Sequence, residues 1–194
     1  MKKVRKIAFF GGTFDPVHDG HLEIAQKAFD QLDLDRVIFI PCRRSPHKSD
    51  APGAEDLDRL RMLELATEDL PWAKVSDFEL QRPSPSFTWE TVRHFKGIFE
   101  YSTRLFLLVG FDQWESLPRW KNVKTLAHDV EFIVVGRSRQ PEPREGYSAH
   151  FIEGNHPSSA SEIRKDLKVS RKARWLHKNV SKYISEKDLY SSFR

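Results

Sequence analysis

Short apolar runs alternate with amphipathic stretches along most of this chain. The run 4–10 is apolar and closes on two glycines, as a buried strand does. Residues 21–32 then place Leu22, Ala25, Ala28, Phe29 and Leu32 on one helical stripe. A second strand, 36–40, stops at Pro41. Strand, helix, strand predicts a parallel pair with a crossover. A polar loop rich in Pro and Ser fills 42–54, and a helix with Leu57, Leu60, Leu63 and Leu65 along one side fills 55–70. A short strand is expected at 73–78, then a loop at 79–85, then a helix capped by Ser86 or Thr88 and running to about Phe99.

The run 104–109 is almost continuously apolar, which predicts a central strand buried on both faces and ending at Gly110. A turn and helix follow at 118–127, a buried strand at 130–135, a polar loop at 140–146 and a last short strand at 147–152. Two helices, beginning at Ser161 and at Trp175, make 159–190 a helical C-terminal part. The alternation predicts an α/β fold with a doubly wound parallel sheet, read as one domain over 1–194.

Composition narrows the class. The chain has 194 residues, 39% hydrophobic and 31% charged, and no apolar run approaches the ~20 residues of a membrane span. The opening Met-Lys-Lys-Val-Arg-Lys precedes too short an apolar run to be a secretion signal and reads as the lead-in to the first strand. The one cysteine, Cys42, excludes an intrachain disulfide and fits a cytoplasmic protein. A formal net charge of +4 suits anionic small molecules. The basic run of Lys165, Lys168, Arg171, Lys172 and Arg174 reads as a solvated face rather than a nucleic-acid surface. Oligomeric state is not legible.

Ligands of such sheets bind beyond the C-terminal ends of the strands. Here the segments after strands carry most of the distinctive polar residues: 11–21, 41–48, 110–120, Gly136-Arg137 and 153–164. The first holds Gly11, Gly12, Thr13, Phe14, Asp15, Pro16, His18 and His21. A strand, a glycine turn and a helix start suit an anion. Histidines three apart on a first helical turn share a face, where a bound phosphate would lie. The stretch is neither a P-loop nor G-x-G-x-x-G. As half a zinc site the pair lacks an obvious third ligand.

The pattern T-F-D-P-x-H-x-G-H at 13–21 resembles the nucleotidyltransferase branch of the HIGH superfamily, and Ser158-Ser159-Ala160-Ser161-Glu162-Ile163-Arg164 resembles its distal I-S-S-T-x-I-R signature. Ser158 and Ala160 depart from that signature. The resemblance implies a Rossmann-like nucleotidyltransferase fold and attack of a substrate phosphate on the α-phosphorus of a nucleoside triphosphate. His18 and His21 would be catalytic. Gly11, Gly12, Thr13 and Phe14 would form the phosphate turn, Ser159 would meet phosphate, Ser161 would cap a helix facing the β- and γ-phosphates, and Arg164 would grip them. Mg2+ would be held mainly by the substrate phosphates, with no metal ligands from the chain.

Later segments resemble the bacterial nicotinate mononucleotide adenylyltransferases over nearly the whole chain. These are Pro46-His47-Lys48, Ser86-Phe87-Thr88-Trp89-Glu90-Thr91, Gly110-Phe111-Asp112 with Leu117-Pro118-Arg119-Trp120, and the Tyr183-Ile184…Leu189-Tyr190 end. Phe87 stands for the usual Tyr and His177 for a usual Pro. The implied partners are ATP and nicotinate mononucleotide, giving nicotinic acid adenine dinucleotide and pyrophosphate. Trp120 would stack on the pyridine ring and Thr88 would receive its carboxylate, beside Gly110 and Phe111. Lys48 would meet phosphate, Asp112 the ribose and Arg137 the adenosine or its phosphates. The alternatives are nicotinamide mononucleotide or another phosphorylated acceptor, or a non-catalytic nucleotide- or nucleic-acid-binding regulator. Residue by residue, the structural alternatives are that Trp120 is core, Thr88 an N-cap and Lys48 a solvated loop lysine.

Overall fold

The computed structural model describes residues 4–44, 53–136 and 141–191. Its centre is a six-stranded, wholly parallel sheet in the order β3-β2-β1-β4-β5-β6. The strands are β1 (Lys6–Gly12), β2 (Arg36–Pro41), β3 (Ala73–Val75), β4 (Arg104–Gly110), β5 (Glu131–Gly136) and β6 (Ala149–Glu153). The helices are α1 (Asp19–Gln31), α2 (Asp56–Thr67), α3 (Thr88–Lys96), α4 (Phe111–Ser116), α5 (Val123–Asp129), α6 (Ala160–Ser170) and α7 (Lys178–Glu186).

Side chains alternate across the strands and divide the core in two. Ala8, Phe10, Val37, Phe39, Phe106, Leu108, Ile133 and Val135 pack on one face with α1, α2, α6 and α7. Ile7, Phe9, Ile38, Ile40, Leu105, Leu107, Val109, Phe132 and Val134 pack on the other with α3, α4 and α5. Burial on both faces is why these strands read as unbroken apolar runs. Among the described residues no helix is long and apolar enough to cross a membrane.

The order reverses at β1, which pairs with both β2 and β4. A crevice therefore opens beyond the ends of β1 and β4. The expectation of β1 ending at Phe10 is corrected here: Gly11 and Gly12 stay in the strand, opposite Ile40 and Pro41. The missing Cβ of Gly12 serves a close approach, since a Cβ there would lie 2.9 Å from the Phe14 ring.

Other boundaries shift as well, and one helix is added. α3 stops at Gly97, short of Phe99. Its N-cap is Phe87, so Thr88 is the first helical residue and neither Thr88 nor Ser86 is the cap. The α6 N-cap is Ser159, which puts Ser161 inside the first turn rather than at the cap. Helix α4 was not expected: six residues give too short a stripe, and it is started by the Gln113 side chain accepting the Gly110 N–H at 3.0 Å.

Candidate active site

The turn after β1 is held from beneath. Phe14 takes a left-handed φ of 50° and buries its ring against Phe10 and His21. Arg59 of α2, wholly buried, donates to the Thr13 carbonyl at 2.7 Å and to Asp56. Asp15 is the node. Its carboxylate accepts the N–H groups of Gly53 (2.7 Å) and Ala54 (3.0 Å) and the Tyr190 hydroxyl (2.7 Å). The Arg164 guanidinium donates to the Asp15 carbonyl at 2.6 Å and lies 3.7 Å from its carboxylate. Gly53 fits between the Tyr190 ring and Arg164, where a Cβ would come within 3.3 Å of that ring. Burial, then the Asp15 charge, pushes the Tyr190 hydroxyl far above the ordinary tyrosine value. Four segments remote in sequence thus meet at one buried carboxylate.

His18 is the N-cap of α1 and His21 its third residue. The His18 backbone N–H donates to His21 Nδ1 at 3.2 Å, the part a Glu or Gln plays in a capping box. The two rings stack with centroids 3.7 Å apart. His18 Nδ1 meets the Ser158 hydroxyl at 2.9 Å, and Ser158 is in turn bonded to His156.

Beyond β4, α4 and the turn after it carry Asp112 and Trp120. Trp120 Nε1 donates to Ser116 Oγ at 3.4 Å, and its ring packs beside the core of that face. Opposite stands the start of α3, with Thr88 and Trp89. The Glu79 carboxylate is buried there and accepts from Thr91 Oγ1 at 2.6 Å. Burial raises its pKa, against the Thr91 and Ser86 hydrogen bonds, which lower it. Ser86 is tied to the loop after β2: its hydroxyl accepts from the Arg43 N–H, and its own N–H donates to the Arg44 carbonyl. Lys121 lays its ammonium over the Phe87 ring at 4.4 Å.

These groups line one cavity of about 1350 Å³. It brings together Gly11, Gly12, Thr13, Phe14, His18, His21, Thr88, Gly110, Phe111, Asp112, Trp120, Ser159, Ser161 and Arg164, every sequence-predicted site residue that is described. Lys48, with its neighbours Pro46 and His47, and Arg137 lie outside the described residues. One end is rich in donors: the imidazole pair, the Arg164 guanidinium, and the first turn of α6, where the Ser159 and Ser161 hydroxyls share a 2.8 Å hydrogen bond. The other end is aromatic, with Trp89, Phe111 and Trp120 around the start of α3. Among the described residues no three His, Cys, Asp or Glu side chains are grouped to hold a metal. Imidazole, guanidinium and hydroxyl groups suit phosphate oxygens better than a bare cation.

Sequence reasoning passed over Asp15, Glu79, His156 and Ser158. Asp15 carried a signal, a charged residue set between Phe14 and Pro16-Val17. Ser158 registered only as a departure from the distal signature, although its hydroxyl touches His18.

The cytidylyltransferase-like family model matches residues 9–166. The chain is 36% identical over 191 residues to a probable nicotinate-nucleotide adenylyltransferase of Methylacidiphilum infernorum, spanning 95% of this chain and 92% of that one. It is 34% identical to the probable nicotinate-nucleotide adenylyltransferase of Neisseria gonorrhoeae, over 96% of this chain and 99% of that one. Among solved structures, Plasmodium falciparum nicotinic acid mononucleotide adenylyltransferase complexed with NaAD matches with a TM-score of 0.76 over 96% and 97% of the two chains. At 19% identity, that likeness is one of fold.

Proposed function

The chain belongs to the cytidylyltransferase-like family, and from that premise we propose that it transfers AMP from ATP to nicotinate mononucleotide. The products are nicotinic acid adenine dinucleotide and pyrophosphate, a step of NAD synthesis. The observation that carries this reading is the two-ended cavity: phosphate-handling groups at one end and an aromatic acceptor site at the other, beside the crevice where β1 and β4 diverge.

In the reaction an oxygen of the mononucleotide phosphate forms a bond to the α-phosphorus, and the bond from that phosphorus to the β-bridging oxygen breaks. The electron pair leaves with pyrophosphate. No side chain is the nucleophile, so the chain's work is alignment and charge stabilisation. His18 and His21 donate to the phosphoryl oxygens. Arg164, with the N–H groups and the Ser159 and Ser161 hydroxyls at the start of α6, receives the departing pyrophosphate. The Gly11 to Phe14 turn lets the chain approach the phosphates closely, and Asp112 accepts from a ribose hydroxyl. Trp120 stacks on the pyridine ring beside Gly110 and Phe111. Thr88 and the first N–H groups of α3 receive the carboxylate, a charge favoured at a helix start. Lys48 and Arg137 complete the phosphate and adenosine contacts.

Mg2+ fits as a companion of the triphosphate, held by phosphate oxygens and water, and supplies further neutralisation of phosphate charge. We read the protein as cytoplasmic, in keeping with its single cysteine.

Pyrophosphate release, measured with ATP or CTP paired with nicotinate or nicotinamide mononucleotide, tests the proposal. ATP with the nicotinate form should be the best pair, because donors that bind a carboxylate are poorly matched to an amide nitrogen. No release with ATP and either mononucleotide refutes it.

A further inference from the structure

His18 sits at the head of a chain of polar contacts that leads out of the cavity. The direction of each bond can be read from the donors. His156 Nδ1 accepts the backbone N–H of Ser158 at 3.1 Å, so that nitrogen bears a lone pair. The Ser158 hydroxyl, 2.8 Å from the same nitrogen, must therefore donate to it. Its oxygen is then the acceptor for His18 Nδ1, 2.9 Å away, and His18 carries a proton on Nδ1. The proton of His156 falls on Nε2, which lies 3.8 Å from Glu23 Oε2. On the other side of the imidazole stack the direction reverses. His21 Nδ1 accepts the His18 backbone N–H, so His21 carries its proton on Nε2.

The relay is built into the fold. Ser158 is only 2% exposed. A Cβ on Gly20 would lie 2.4 Å from the Ser158 hydroxyl and 3.2 Å from Nδ1 of both His156 and His18. Glycine thus occupies a helical position where alanine is preferred by about 1 kcal/mol, and the space it leaves is filled by the relay. The Trp175 ring stands edge-on to His156, and its carbonyl accepts the Asp19 N–H, which ties this cover to α1.

We propose that Ser158 and His156 are positioning residues for adenylyl transfer, holding stacked His18 and His21 in opposite tautomers. The inference rests on the functional reading above. His21 is a neutral Nε2–H donor to a phosphoryl oxygen. His18 keeps its lone pair on Nε2, and as charge builds on the phosphoryl oxygens it takes up one proton there from the buffered solvent. The resulting imidazolium keeps its Nδ1–H on Ser158 and presents a charged Nε2–H donor. Only one of the two stacked rings then needs to carry charge.

Nitrogen-15 NMR of histidine-labelled protein without substrates reads the tautomers directly. His18 should show the Nδ1–H signature and His21 the Nε2–H signature. In Ser158→Ala the His18 signature should be lost while the His21 signature stays. Loss of a hydrogen bond to a group that becomes charged should lower kcat about ten- to a hundred-fold, with KM for ATP and for the mononucleotide within about two-fold of wild type. His156→Ala should do the same. His156→Asn, whose Oδ1 can accept both Ser158 bonds, should recover most of kcat. An Nε2–H tautomer at His18 in the wild type overturns the proposal, and so does a Ser158→Ala kcat within about two-fold of wild type. If the wild type releases no pyrophosphate with ATP and either mononucleotide, the functional reading fails, and the spectra alone decide for or against the relay.

Discussion

Replacing Asp15 by asparagine removes one negative charge and one acceptor oxygen from the point where four segments meet. The buried carboxylate accepts three hydrogen bonds, two from the Gly53 and Ala54 N–H groups and one from the Tyr190 hydroxyl. An asparagine oxygen placed on the Ala54 and Tyr190 side leaves the amide nitrogen against the Gly53 N–H, donor facing donor. A hydrogen bond to a charged group is worth roughly 1.5–3 kcal/mol, and a buried donor without an acceptor costs about 1–3 kcal/mol. The Arg164 ion pair adds little, at 3.7 Å with its guanidinium one-third exposed. The expected loss is about 3 kcal/mol, read as a lower urea midpoint at unchanged m, or as a Tm lower by roughly 6–12 °C for a chain of this size. Tyr190→Phe removes one donor and leaves the carboxylate its other partners, so it should cost no more than the roughly 1.5–3 kcal/mol of one hydrogen bond to a charged group. An Asp15→Asn protein within about 1 kcal/mol of wild type would refute the reasoning, because it would mean that the Gly53 N–H loses nothing with its acceptor.

Four further outcomes are expected. His18→Ala or His21→Ala should lower turnover roughly 10²–10³-fold, the scale of one lost transition-state donor; near-normal turnover would make the pair structural. Trp120→Ala should raise KM for the mononucleotide far more than KM for ATP, whereas equal effects would assign the ring to folding. Glu79 has its pKa raised in the fold, so its contribution to stability is greatest at low pH and is lost as pH rises above its ordinary value of 4.5. Glu79→Gln should therefore gain stability relative to wild type between pH 4.5 and pH 8 in parallel urea titrations; a constant difference would contradict the burial argument. Gly20→Ala should reduce kcat by roughly ten-fold or more by pushing Ser158 away from His18, and an unchanged kcat would show that the crowding is relieved at no cost.

The strands were the most legible part of the chain. The runs around Phe9, Leu107 and Val134 are apolar at successive positions, and only a strand covered on both faces makes that pattern pay no penalty in exposed polar alternation. The two-glycine extension of β1 was not legible, since Gly11 and Gly12 remain extended because β2 pairs with them, and nothing local encodes a partner. Helix α4 was lost to its length, and Ser161 was mistaken for the cap because either Ser159 or Ser161 satisfies the composition of one. Most site residues lie just after strands, and topology therefore forecasts their convergence. Asp15 and Ser158 lie in such segments too, but their roles are not forecast by topology. Their partners stand at Gly53, Arg164 and Tyr190 and at His18, and separations of 38 to 175 residues leave no periodicity to read.

The Asp15 node also orders events during synthesis. Asp15 leaves the ribosome soon after β1, but the Arg164 and Tyr190 groups that meet it emerge only after all six strands of the sheet have been made. While translation proceeds, Gly53 and Ala54 are its only available partners of the four. Until α6 is made, the triphosphate end of the crevice lacks the Arg164 guanidinium. Adenylyl transfer should therefore switch on late and abruptly, when Tyr190 reaches the carboxylate, and ribosome-bound chains halted before α6 should turn over no ATP.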